Sequence, residues 1–255
     1  NLFWVSLLLL STISRFGYDL LILKMIGIFV NENNVDKTRS FINSSFTFIL
    51  ISSSLLAAFF YVLTDIFIYL NILNINNNFS LRAFHLALIC LVPFTITIYF
   101  SVLLKGFKSR VLGYFLDQGG IAFLILIILI LLFNNGNQID LHNHLPYLFS
   151  LSCFIIGALS FYNVKQIFHK TFNEKLNLRL DISNYKNLFI ESIPLFLLSI
   201  SDFLLYWLPI LLLPFTCSLQ EVGAYSNIFR LSQIIVFVMS IINVVIAPEI
   251  SETVN

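Results

Sequence analysis

Charge is scarce in this chain. Only 11% of its 255 residues are Asp, Glu, Lys or Arg, where a soluble domain carries about a quarter. With 58% hydrophobic residues and a mean hydropathy of +0.92, that deficit excludes an ordinary soluble globule and predicts an all-α polytopic membrane protein. Cysteine is scarce too. Cys90, Cys153 and Cys217 are scattered without a CxxC pair, so they read as small apolar fillers rather than a disulfide framework or thiolate metal site. Also missing are GxxxxGK[ST], GxSxG and HExxH, and with them the phosphate loop, the nucleophile elbow and the zinc-protease helix. No catalytic residue, metal site or cofactor is expected. A net charge of +1 gives no reason to expect a nucleic-acid partner. The chain begins at Asn1 on an apolar run, with no basic flank and no small-residue cleavage site, so that run is not a signal peptide. The expectation is a fragment that starts inside or just before a membrane helix.

What is present is a series of apolar segments separated by polar breaks. Seven are predicted: about 1–23, 41–70, 83–104, 111–133, 146–164, and a hairpin over 187–250 that supplies the last two. Helices are the expectation because lipid offers the backbone no hydrogen bonds, and the runs lack the period-two alternation of barrel strands. Pro93 should kink the third segment. Phe41 to Thr47 are mixed enough to be expected outside the bilayer.

Lys and Arg set the orientation. The breaks at 24–40, 105–110 and 165–186 hold Lys24, Lys37, Arg39, Lys105, Lys108, Arg110, Lys165, Lys170, Lys175, Arg179 and Lys186; the alternate breaks hold only Arg82. The positive-inside rule makes the three basic loops cytoplasmic. The first segment then enters from outside, which calls for at least one more helix before Asn1.

Charges inside the segments are the informative set, because each costs roughly 3 kcal/mol on insertion scales. Arg15 and Asp19 are four apart on one helix face. They read either as a self-neutralised pair near the inner interface or as a cavity-facing Arg for an anionic head group. Asp117 either snorkels to the cytoplasm or acts within the membrane. Asp202 and Arg230 lie deeper, at matching depth on the two arms of the 187–250 hairpin. They read as a structural ion pair or as a substrate and gating site. Asp140, His142 and His144, in DLHNH, read as a solvated loop before they read as a metal site.

The hairpin reads SIPLFLLSISDFLLYWLPILLL and then EVGAYSNIFRLSQIIVFVMSIINVVIAPEIS; the start reads SRFGYDLLILKMIGIF; the third break reads LLKGFKSRVLGYF. In this order and spacing the chain resembles the polysaccharide flippases, the O-antigen and capsule transporters, of the multidrug/oligosaccharidyl-lipid/polysaccharide exporter superfamily. The motifs are individually degenerate, but together they cover nearly the whole chain. The usual basic residue ending the family's second helix is Lys24 here rather than Arg, and Arg15 has no secure counterpart.

The resemblance implies a bundle like that of the superfamily's multidrug exporters, with two six-helix lobes around a central cavity. Residues 1–164 would be a near-complete N-terminal lobe without its first helix, 165–186 a basic cytoplasmic linker, and 187–255 the first hairpin of the C-terminal lobe. Four or more further helices would follow. The implied activity is export of undecaprenyl-pyrophosphate-linked oligosaccharide by alternating access, for O-antigen, lipopolysaccharide or capsule synthesis. Na⁺ or H⁺ is the candidate coupling ion, and the bilayer and the polyprenyl-linked oligosaccharide are the partners. No covalent chemistry is needed, so no enzyme is expected. Arg230 and Arg15 are the head-group candidates; Asp202, Asp19 and Asp117 are candidates for gating or ion pairing. The rivals are a cation-coupled multidrug exporter of the same superfamily, which should favour acidic cavity residues, and a membrane polysaccharide polymerase or ligase. The latter should need a large outer loop with basic residues. An uncharacterised membrane scaffold is the bland alternative.

Overall fold

A computed structural model describes the backbone at residues 2–69, 78–134, 141–181, 185–218, 220–229, 231–232 and 235. Side chains are described at 4–66, 85–117, 119–131, 147–181, 188–210, 212–213, 217–218, 220–229, 231–232 and 235. Among these residues the chain is helical and contains no strand. The helices are α1 (Leu2–Arg15), α2 (Tyr18–Asn31), α3 (Val35–Tyr69), α4 (Asn78–Gly106), α5 (Arg110–Tyr114), α6 (Ile121–Asn134), α7 (Leu141–Phe172) and α8 (Tyr185–Thr216). A π-helical turn, Phe115–Gly120, joins α5 to α6.

Four stretches are long and apolar enough to cross a membrane: Val35–Ile66, His85–Gly106, Tyr147–Phe172 and Leu188–Ile210. Arg110–Asp117 with Ile121–Leu131, bent by 54°, makes a fifth if the pair is one span. Their outward faces are apolar. On α3 the exposed residues Ile51, Leu55, Phe59, Val62 and Ile66 recur every three or four positions, and Phe123, Ile127 and Ile130 do so on α6. A greasy stripe of that length on the outside belongs in lipid. The protein is thus an all-α multi-pass membrane protein.

Two of the seven predicted segments are interrupted: the fourth, 111–133, is α5, the π-helical turn and α6 in succession, and the first is divided as well. The first is not one helix. It breaks at Phe16 (φ 46°) and Gly17 (φ 75°) into α1 and α2, because neither residue holds right-handed helical geometry there. The last lies mostly outside the described residues, which there are helical over 220–229.

The chain separates into two compact units, 1–202 and 203–255, with the boundary inside α8. In the first unit α4 is the central helix: 78% of its apolar window is buried, against 22% in α3 and 39% in α7. A helix with apolar residues on every side is suited to that place. Leu88, Leu91, Tyr99 and Leu103 on α4 are fully buried with Ile42 and Ile49 of α3 and Leu21, Ile22 and Ile26 of α2. Small residues bring α7 close: a Cβ on Gly157 would stand 3.1 Å from the Thr97 hydroxyl, which itself lies 2.8 Å from the Pro93 and Cys153 carbonyls. Polar glue of this kind is what holds helices together where burial alone offers no preference over lipid. Pro93 sits within α4, and the nearby Thr97 hydroxyl gives its carbonyl a donor.

Phe41 to Thr47, expected outside the bilayer, are part of this packing. Phe41, Ile42, Asn43, Ser44, Ser45 and Thr47 are all buried. The basic stretch after α7 accounts for their polarity. Helix α7 continues to Phe172, ends on Asn173 (φ 56°), and is followed by a non-helical strap over 175–181. Asn43 Oδ1 accepts from the Arg179 N–H (3.2 Å) and Thr47 Oγ1 from the Asp181 N–H (3.1 Å). Ser40 donates to Asp181 at 3.4 Å and Arg39 to Glu174 at 2.5 Å. A strap without its own helix must find partners for its N–H groups, and the polar face of α3 supplies them.

In the second unit Trp207 meets Phe229 edge-on at 5.6 Å and Phe203 at 6.5 Å. The helix over 220–229 opens with Ser218-x-x-Glu221, a capping box. Both the Ser218 N–H and its hydroxyl donate to Glu221 Oε2 at 2.8 Å.

A charged membrane cavity as the candidate functional site

The break between α1 and α2 does local electrostatic work. It makes Arg15 the last residue of one helix and puts Asp19 in the first turn of the next, so the cation faces a carbonyl end and the anion an amide end. Arg15 Nη1 meets Asp19 Oδ2 at 2.7 Å. The guanidinium also donates from Nε to the Ser11 carbonyl (3.0 Å) and, at 3.4 Å, from Nη2 to Thr12 Oγ1. Asp19 Oδ1 is buried and has no hydrogen-bond partner among the described residues.

A second pair faces the first across a shared space. Lys105, at the end of α4, donates to Asp117 Oδ2 in the π-helical turn and lies over the Tyr114 ring, 4.3 Å from its centroid. A π turn inserts an extra residue into the helix and re-aims the side chains it carries. Gly113 lets α5 close on α4: a Cβ there would stand 2.8 Å from the Ser101 carbonyl oxygen and 2.7 Å from Lys105 Cγ. The side chains are little exposed, at 11% for Arg15 and Lys105, 15% for Asp117 and 24% for Asp19. That exposure is enough for all four to reach one cavity.

The cavity has a volume of about 540 Å³, inside the roughly 300–1,000 Å³ range of small-molecule sites. Arg15, Asp19, Lys105 and Asp117 line one end; Trp4, Phe94 and Phe149 line the wall further along. Those three rings form a triangle with centroids 5.7–5.9 Å apart. Trp4 and Arg15 are eleven positions apart on α1, as are Phe94 and Lys105 on α4, so the charged and aromatic ends are about 16 Å apart along the helices. The site is therefore graded from ionic to apolar.

The structure brings together three of the five residues singled out from sequence, Arg15, Asp19 and Asp117, and pairs Asp117 with a residue that the sequence placed in a cytoplasmic loop. Asp202 is exposed on α8 and makes no ion pair among the described residues. Arg230 and Asp140 lie outside the described residues, as do the side chains of His142 and His144. No cluster of three or more His, Cys, Asp or Glu suited to a metal occurs among the described residues. Lys105 is the residue sequence reasoning missed. It lies four positions before Ser109 and Asp117 eight after, a mismatch of about 6 Å in helical depth that a long Lys stem can span.

Neither a curated protein nor a solved structure matches the chain. The family model described as polysaccharide biosynthesis protein matches residues 3–254, almost its full length. The chain belongs to the polysaccharide biosynthesis protein family.

Proposed function

We propose that the protein is a flippase for a lipid-linked oligosaccharide, carrying an undecaprenyl-pyrophosphate sugar across a bacterial inner membrane. The supporting observation is the graded cavity: Arg15 and a second cation at one end, three aromatic rings at the other, inside a bundle of membrane helices. Four charges at such a place are each costly in lipid, and membership of a polysaccharide biosynthesis family gives them a chemical class of ligand. Arg15 is the head-group residue on this reading, since a guanidinium offers phosphate a forked set of donors. By the distribution of basic loops the charged end faces the cytoplasm, where such a cargo is assembled. Rocking of the lobe that carries the site against a second lobe would then present it to the other face. The cargo changes sides without a change of covalent bonds, so the protein acts as a transporter rather than an enzyme.

The test is genetic. Cells lacking the gene are complemented with the full-length protein or its Arg15→Ala form. The expected outcome is loss of surface polysaccharide, with the lipid-linked precursor accumulating inside, in both the deletion and the variant. Normal surface polysaccharide in the deletion would remove the proposal.

A further inference from the structure

We propose that Lys105 and Arg15 together grip a diphosphate, and that Asp19 and Asp117 are stand-ins that occupy the two cations while the site is empty. This rests on the transport reading above and adds a residue and a working principle to it. A cation needed for anion binding is a liability in an empty membrane cavity, where it would sit uncompensated. A carboxylate on a neighbouring turn removes that cost and can be displaced by a better anion. Ion pairs that serve only packing need no access to open space, yet all four of these charges line the same cavity.

The geometry of each pair also suits exchange. Asp19 and Asp117 each reach their cation through a single oxygen, Oδ2 in both cases, rather than by a two-oxygen clamp. Asp19 Oδ1 is left buried without a partner among the described residues. Lys105 has three donors, and the Tyr114 face beside it holds the ammonium by its quadrupole when the carboxylate lets go. The two cations come from different helices, α1 and α4, and both line the cavity. The aromatic end, about 16 Å away along α1 and α4, is placed for an apolar part of the same ligand. Charge balance then fixes the signs. Two cations and two carboxylates sum to zero, so an incoming diphosphate competes with Asp19 and Asp117. Removing a carboxylate charge must strengthen binding, and removing a cation must weaken it.

The experiment measures binding of farnesyl diphosphate to the full-length protein in detergent, alongside thermal unfolding. Lys105→Gln should weaken binding about tenfold or more, Lys105→Arg should restore most of it, and Asp117→Asn should tighten it several-fold. The double variant Lys105→Gln/Asp117→Asn should bind as weakly as Lys105→Gln, because the gain acts through Lys105; with both charges gone it also guards against misfolding. If Asp117→Asn weakens binding as Lys105→Gln does and both lower Tm, the pair is a structural unit and the inference is wrong. It is equally wrong if farnesyl diphosphate does not bind, or if Lys105→Gln binds like the wild type. Complementation separates the two levels. Unchanged surface polysaccharide in the deletion sinks the transport reading itself. Loss in the deletion with full rescue by Lys105→Gln sinks only the role of Lys105.

Discussion

A Cβ built on Gly17 would stand 2.8 Å from the carbonyl oxygen of Ser192. Helix α8 thus approaches the α1–α2 break at a residue without a side chain, and the contact is sealed by Phe16, which stacks on Phe196 at 4.1 Å and on Phe189 at 4.8 Å. The same break that aims Arg15 and Asp19 into the cavity is therefore held from behind by α8. Gly17→Ala combines a left-handed backbone with a backbone clash, and should cost about 2 kcal/mol or more. Gly27→Ala, where nothing lies within 4 Å, should be neutral or stabilising by up to about 1 kcal/mol. Thermal unfolding of both in detergent checks the contrast; equal effects would mean the approach is not tight.

Tyr99 is a buried hydroxyl with two partners: it donates to the Ile42 carbonyl at 2.8 Å and lies 3.1 Å from Ser45 Oγ. Tyr99→Phe keeps the ring, leaves the Ile42 carbonyl without this donor and takes the phenol oxygen away from Ser45, which should destabilise by about 1–2 kcal/mol. Ser45→Ala should cost less, because the Ser45 hydroxyl also bonds within its own helix, to Phe41 at 2.7 Å. The order of the two Tm values is the readout.

The strap at 175–181 is held by side chains of α3 rather than by its own secondary structure. Asn43→Ala with Thr47→Ala removes the acceptors for the Arg179 and Asp181 N–H groups. At about 1 kcal/mol each, the open population should rise about 30-fold. Trypsin cleavage after Arg179 should accelerate accordingly, and an unchanged rate would show that the strap is held elsewhere.

Glu221 carries a pH dependence with a definite sign. The Ser218 backbone and hydroxyl donors hold its carboxyl below the usual glutamate value. A depressed folded-state pKa means that the capping box supports the helix start above the ordinary glutamate range and that this support is lost as pH falls through the folded value. Amide exchange at 221–225 should therefore be slower at neutral pH than at acidic pH after correction for intrinsic exchange. Glu221→Gln should flatten that difference.

Composition and segment length determined the class by themselves: a chain with this little charge and these apolar runs can satisfy its backbone in lipid only as helices. The pairing of Arg15 with Asp19 was expected from a spacing of four on one helix face; the pair forms, but across the break between α1 and α2 rather than along one helix. Tertiary structure decided the rest. Phe41 to Thr47 read only as a mixed stretch outside the bilayer, and what covers them is decided by the strap, since polarity is local and its partners are more than a hundred residues away. Lys105 looks like one more loop cation until the Gly113 approach and the π-helical turn bring Asp117 to it, and neither a close approach nor an extra residue in a turn leaves a periodicity to read. The break at Phe16–Gly17 falls in the mixed stretch STISRFGYD, where polarity does not tell a helix end from a charged helix face; the left-handed backbone there goes with the close approach of α8. Sequence spacing determines which residues share a helix face, and only the packing of helices determines which faces enclose a cavity.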